Sequence, residues 1–326
     1  MRSPLLWTFV ASAVLLCGVG GWLLTDPATS RSDALKTAGL AGGAVVALYA
    51  LWLNDRRRRV EEARQAIEQQ RHDVDRERIS DERFAKAVEL LGHEADQVRV
   101  GALHALAGLA RSRPDYRQTV LDVLCSYLRR PFTHGRYLAD FSDSADSSDS
   151  PDEPAGTPEE ERELQVRLTA QRLIRDLLPE SDVDGPGPDL DLTGAVLEYF
   201  DLSRRRVGEL LLRHASLYSS TNLSGSVFTG PVYFTAAGTG AGRLIGNFRC
   251  RGAVFQNRAW FSGTRFAERA DFSGTRFEGR TTFKEAVFVK ETVFAEVSFA
   301  DASGIQLPTG WQLTPRDGGG GNAMRG

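Results

Sequence analysis

The sequence predicts two transmembrane helices, a small all-α helical module and a C-terminal stack of short β-strands. Three observations carry this. Two long uncharged runs lie near the N-terminus, helical periodicity runs between residues 80 and 178, and phenylalanine recurs every five or six residues from 255 to 299.

The membrane segment comes first. Leu5 to Leu24 is twenty residues without a charge, and Thr37 to Leu53 is seventeen. About 20 apolar residues cross the ~30 Å of hydrocarbon in a bilayer, so both runs are read as spans, over 1–54. Trp7, Trp22, Tyr49 and Trp52 lie near the run ends, where amphipathic rings favour the interface. Asp55 follows, and then Arg56, Arg57, Arg58 and Arg59, the topology signal. Juxtamembrane cations stay on the cytoplasmic side, so the expectation is a two-span, multi-pass cell-membrane protein with its soluble part in the cytoplasm. A cleaved signal peptide fits less well, because only Arg2 precedes the first run and no small-x-small site follows it. A lipoprotein signal ending at Cys17 would want a small residue where Leu16 stands.

Residues 55–79 are charged, with sparse apolar positions at Val60, Ala63, Ile67 and Val74, and read as a juxtamembrane stalk helix. A coiled coil is the alternative, but Gln70 and Glu77 occupy its second seam position. The helical module spans 80–138. Ser80 or Asp81 is expected to cap a helix carrying Phe84, Val88 and Leu91. Val98, Ala102, Leu103, Leu106 and Leu109 stripe a second helix, and Pro114 opens a third that stops before Pro131. The stretch VRVGALHALAGLAR resembles the inner helix of a HEAT or armadillo repeat. Residues 139–163 hold ten acidic residues and one basic, a net charge of −9, and are expected to form a disordered linker. Leu164 to Pro179 is then expected to return to the module as a further helix, over 164–179.

The repeat occupies 188–303. From Gly252 the chain reads in elevens, GAVFQNRAWFS, GTRFAERADFS, GTRFEGRTTFK, EAVFVKETVFA. Phe255, Phe261, Phe266, Phe272, Phe277, Phe283, Phe288, Phe294 and Phe299 form the structural ladder, each with Ala, Thr or Val two residues before it. Leu192, Leu197, Leu202, Val207, Leu212 and Leu217 keep a five-residue register, resumed at Leu223 and Phe228. The pattern lapses between Pro231 and Gly246, where GTGAG at 238–242 reads as an interrupting loop. Five residues match neither helix nor extended strand; they fit two inward positions on a short strand followed by a tight turn. Coils stacked at ~4.8 Å would bury the phenylalanines and pair the backbones.

These residues, from about Leu190 to Ser303, resemble the pentapeptide-repeat family, in which a central Leu or Phe follows a small residue two before it. The resemblance implies a right-handed quadrilateral β-helix, and no catalytic residue is implied with it. The sixth residue of alternate repeats implies coils of 22 residues rather than 20. Residues 22 apart should then stack, with Phe299 at the open end of its column, and 304–326 read as a cap and flexible tail. With the two spans, the helical domain and an Arg-rich composition (36 Arg, 4 Lys), the arrangement resembles a membrane-anchored actinobacterial type of that family.

Chemistry is sparse. His72, His93, His104, His134 and His214 share no ligand spacing, and Cys17, Cys125 and Cys250 are isolated, so no metal and no disulfide framework is expected. GTGAG has neither the preceding strand nor the following helix of a phosphate cradle. No catalytic residue, cofactor or enzymatic activity is expected. The function this leaves is a non-enzymatic scaffold on the cytoplasmic face of the membrane, whose partners are the bilayer and an unidentified protein, with homo-oligomers left open. The alternatives are anionic-lipid or nucleic-acid binding by an Arg-rich face, or a DNA mimic acting on gyrase. A mimic needs an acidic rod, whereas 243–300 carries ten basic and six acidic residues; and because its arginines alternate with Glu268, Glu278 and Glu285, as on a solvated face, nucleic acid is not expected as a partner.

Overall fold

A computed structural model describes residues 4–25, 31–139, 156–237, 246–303, 305, 307–315 and 319–326. It shows an N-terminal helical region and a C-terminal β-solenoid, divided into two compact units, 1–79 and 80–326.

The first unit contains helix α1 (Pro4–Thr25) and most of α2 (Arg31–Leu91). Among the described residues no helix is long and apolar enough to cross a membrane. The expected spans fall on stretches in which many side chains lie outside the described residues. Helix α2 is continuous for 61 residues, so the new helix expected at Ser80 or Asp81 does not begin there. Nothing in 55–91 interrupts a helix, since that part holds no Pro or Gly and is rich in Glu, Arg and Ala. Asp81 is instead bound by the Tyr116 hydroxyl.

In the second unit, α3 (Asp96–Ser112), a 3₁₀ turn (Pro114–Tyr116), α4 (Arg117–Leu128), α5 (Gly135–Ala139) and α6 (Pro158–Leu177) follow. Residues 140–155 of the expected acidic linker lie outside the described residues. Its end does not read as linker, because Glu159 to Glu163 form the first turns of α6. Thr157 caps that helix through Glu160 N–H while Glu160 returns a bond to Thr157 N–H, a reciprocal capping box. The carboxylates that look disordering in a linker are stabilising at a helix N-terminus.

The solenoid runs through β1 (Leu190–Asp191), β2 (Val196–Asp201), β3 (Arg206–Val207), β4 (Leu210–Leu211), β5 (Ser216–Asn222), β6 (Val227–Phe228), β7 (Val232–Tyr233), β8 (Asn247–Arg249) and β9 (Val254–Phe255). It continues through β10 (Ala259–Trp260), β11 (Arg265–Phe266), β12 (Ala270–Asp271), β13 (Arg276–Phe277), β14 (Thr281–Thr282), β15 (Val287–Phe288), β16 (Thr292–Val293) and β17 (Ser298–Phe299). All these neighbours pair in parallel. The coil lengthens along the axis. Leu190 pairs with Leu210, an offset of 20, Arg206 with Val227, an offset of 21, and Arg276 with Ser298, an offset of 22. Val232 pairs with Ala259, 27 residues on, which places five extra residues in the interrupted coil; 238–245 themselves lie outside the described residues. The lapse is shorter than expected, for Phe234 is fully buried and stacks on Phe261 at 5.1 Å.

Every second corner holds a residue with positive φ. Gly252, Gly263 and Gly274 take that place, with Glu285 (60°) and Glu296 (58°) continuing the series. Each follows a central apolar residue by two, and the next N–H returns to that residue's carbonyl, as in Thr264→Phe261 and Thr275→Phe272. Glycine is favoured there because it has no Cβ penalty at positive φ. A second kind of glycine is needed for space. A Cβ on Gly279 would sit inside contact distance of the Asn257 carbonyl group in the coil below. Gly279→Ala is therefore expected to force adjacent coils apart and to cost about 1–3 kcal/mol, measured by denaturation against Gly274→Ala.

Both ends of the solenoid carry added elements; a cap is expected from the sequence only within 304–326. At the N-terminal end, α6 packs on β2 and α4 on β1. Ile174 and Leu177 share one hydrophobic cluster with Leu192, Leu197 and Leu202. The helical module is thus an end cap sharing the solenoid's core, and not a separate domain. At the other end, β18 (Trp311–Pro315) and β19 (Gly321–Arg325) form an antiparallel hairpin, with β19 paired to β17. Within the expected cap and flexible tail, residues 311–315 and 321–325 are this hairpin. Phe299 is consequently not at an open end: it is 3% exposed beneath Gly321, whereas Phe288 is only half-buried.

Candidate interaction surfaces

The nine ladder phenylalanines face inward in four columns. Phe255, Phe277 and Phe299 stack at 4.9 and 5.0 Å, Phe261 on Phe283 at 4.9 Å, Phe266 on Phe288 at 4.8 Å and Phe272 on Phe294 at 4.8 Å. They build the scaffold and, apart from Phe288, offer a partner nothing. Upstream, Leu192 and Leu212 continue the Phe261 column, and Cys250 takes a central position below Phe272. There the sizes are exchanged: Phe248 fills the small-residue place two before Cys250, so the core stays full. Of the topology signal, Arg56 is exposed and its guanidinium lies over Trp52, while the side chains of Arg57, Arg58 and Arg59 lie outside the described residues.

The outward residues are interleaved in charge. Arg251 is paired with Asp271 at 2.6 Å and Arg269 with Glu291 at 3.7 Å; Arg265 and Arg276 are exposed. Burial pushes the Asp271 carboxyl up, but Arg251 and Ser273 outweigh it and hold the group below its ordinary value. Burial pushes the Cys125 thiol up to about 12 and the Cys250 thiol higher still, so neither is a ready nucleophile. Among the described residues no His, Cys, Asp and Glu group is placed to hold a metal ion.

The junction of cap and solenoid is polar and buried. Arg167, 1% exposed on α6, donates to the Leu128 carbonyl and, at 3.4 Å, to the carbonyls of Arg130 and Val196. Its guanidinium also lies 4.8 Å from the Phe132 ring centre. One side chain thereby satisfies the C-terminal carbonyls of α4 and reaches β2. Glu198, 3% exposed on β2, accepts from Tyr137 Oη at 2.8 Å, Ser219 Oγ at 3.0 Å and Arg136 at 3.2 Å. Tyr137 stacks on Tyr218 at 3.8 Å. Burial first, and then the Glu198 hydrogen bond, raise the Tyr137 hydroxyl above its ordinary value. The hydrogen bonds of Arg167, Tyr137 and Glu198 run to other protein groups, while Arg167 Nε is buried without a partner; the bonded network suits a fixed joint.

One open surface lies at the C-terminal end. A groove of about 1410 Å³ runs between the last coil and the hairpin. Its floor is Val287, Phe288 and Val293, and its wall is Trp311, Met324 and Arg325. Val287 and Met324 are 43% and 57% exposed. The sequence held a signal for the wall: WQLTP and GNAMR are strand-length segments joined by a Gly-rich turn.

This geometry, short parallel strands stacked into coils of 20 to 22 residues around inward Leu and Phe columns, defines a β-solenoid. Residues 248–287 match the family model of pentapeptide repeats, nine copies, so the C-terminal region is a pentapeptide-repeat β-solenoid. No curated protein and no solved structure matches the chain.

Proposed function

We propose that the protein is a non-enzymatic, membrane-anchored scaffold of the actinobacterial pentapeptide-repeat type, holding a protein partner at the cytoplasmic face of the membrane. The observation that carries the scaffold reading is the solenoid itself: a column-stacked core closed at one end by fused helices, with its accessible features on the outside and at the far end. Such a body is stiff, and each coil contacts only its neighbours, which suits display and not turnover. The anchor rests on the sequence, on the twenty- and seventeen-residue uncharged runs and the four arginines after them. Interleaved charge on the rod favours a protein partner over a polyanion.

Crosslinking in native membranes tests the scaffold: a discrete protein adduct is expected, and adducts with lipid and self alone would overturn it. Reporter fusions test the anchor. A fusion at Gly326 should be active only in a cytoplasmic assay, and activity outside the cell would reverse the topology.

A further inference from the structure

In the body of the solenoid every coil satisfies the backbone of the next. The Thr264 and Phe266 carbonyls accept from Val287 and Val289, and the Ala270, Phe272 and Gly274 N–H groups donate to Glu291, Val293 and Ala295. One coil on, the equivalent groups are the Ala286 and Phe288 carbonyls and the N–H groups of Thr292, Phe294 and Glu296. None of these five has a backbone partner among the described residues, and β15 and β16 each end their sheets. Trp311 satisfies the Thr292 carbonyl through Nε1 at 2.9 Å and covers Phe294, but Phe288 stays half-buried with no ring above it.

We propose that this end of the solenoid is a strand-addition site for an extended segment of a partner protein. The segment would run over β15 and β16, pair with those five backbone groups, and set an apolar side chain on Phe288. An open row of strand groups is a template for another strand, with side-chain pockets adding specificity. The hairpin selects a strand over a second copy. Strands β19 and β18 extend the sheet beyond β17 by two spacings of ~4.8 Å, so a wall stands above the last coil. Two identical walled ends obstruct one another, whereas a single strand enters the slot. The proposal deepens the scaffold reading by naming where the partner sits.

The probe is a fluorescent peptide copying Thr281 to Ala295, because a further coil would carry the same small-x-Phe spacing. It is titrated onto the full chain beside a scrambled peptide of equal composition. The expected result is saturable binding of the copy alone, weakened at least tenfold by Phe288→Asp and unchanged by Arg276→Ala. Hydrogen exchange at Thr292, Phe294 and Glu296 should slow when peptide is bound. Equal binding of the scrambled peptide, or no loss with Phe288→Asp, would overturn the proposal. Concentration-dependent dimerisation abolished by Phe288→Asp, with no peptide binding, would overturn it in favour of a second copy. Failure of the crosslinking experiment with successful peptide binding would leave the strand site standing and overturn the scaffold reading at the membrane.

Discussion

Phe277→Ala is expected to lower the unfolding free energy by about 3–5 kcal/mol, the cost of a large-to-small change in a core that cannot close the void. Its ring is 1% exposed and sandwiched between Phe255 and Phe299, with Phe261 and Phe283 edge-on at 6.3 and 6.1 Å. The comparison that isolates this effect is Phe288→Ala, which removes the same ring from a half-buried site with a stacked neighbour on one side only. That loss should be visibly smaller. Arg276→Ala, one residue away and pointing outward, should fall within about 0.5 kcal/mol. Chemical denaturation of the full chain measures all three, and equal losses at 276 and 277 would contradict the inward-facing register.

Arg167→Ala should cost about 3 kcal/mol, for a different reason. The substitution leaves the Leu128 and Arg130 carbonyls without their guanidinium donor and vacates the contact with Phe132. Buried acceptors left without donors are destabilising by about 1–3 kcal/mol each. Arg167→Lys should recover only part, because one ammonium cannot reproduce the planar fork. If the helices are an end cap, the loss should appear in the same transition as solenoid unfolding. A separate early transition for the helices would contradict a shared core.

The linker gives a gentler expectation. Its composition predicts first protease cleavage within 140–156, now bounded on the C-terminal side by the capping box of α6. A first cut within 255–299 would contradict the solenoid.

The repeat was legible because its signal is local and redundant. Each Phe carries its own small residue two before it, and the five-six alternation fixes the 22-residue coil without knowledge of neighbours. Where one residue departs, the local pattern breaks. At Cys250 the large side chain had moved to Phe248, and only the coils above and below reveal that the volume is conserved. The packing of the end elements on the solenoid was hidden for a related reason. That α6 packs on β2, and that the Trp311 indole reaches the Thr292 carbonyl, are long-range facts with no periodicity to announce them. At Glu159 to Glu163 composition misled directly, since the same carboxylates suit a disordered linker and a helix start. The groove followed from the hairpin and was invisible until the hairpin was placed.

The most direct test of the stacked-coil account is a pair of double-cysteine variants. Arg265 and Val287 are strand partners 22 residues apart, and both are exposed. Neighbouring strands lie about 4.8 Å apart, within the Cα separations of about 4.4–6.8 Å that disulfides span. Arg265→Cys with Val287→Cys should form an intramolecular disulfide on mild oxidation, while Arg265→Cys with Glu285→Cys, at an offset of 20, should remain reduced. A crosslink at 20 and none at 22 would contradict the register on which the ladder, the caps and the open end all depend.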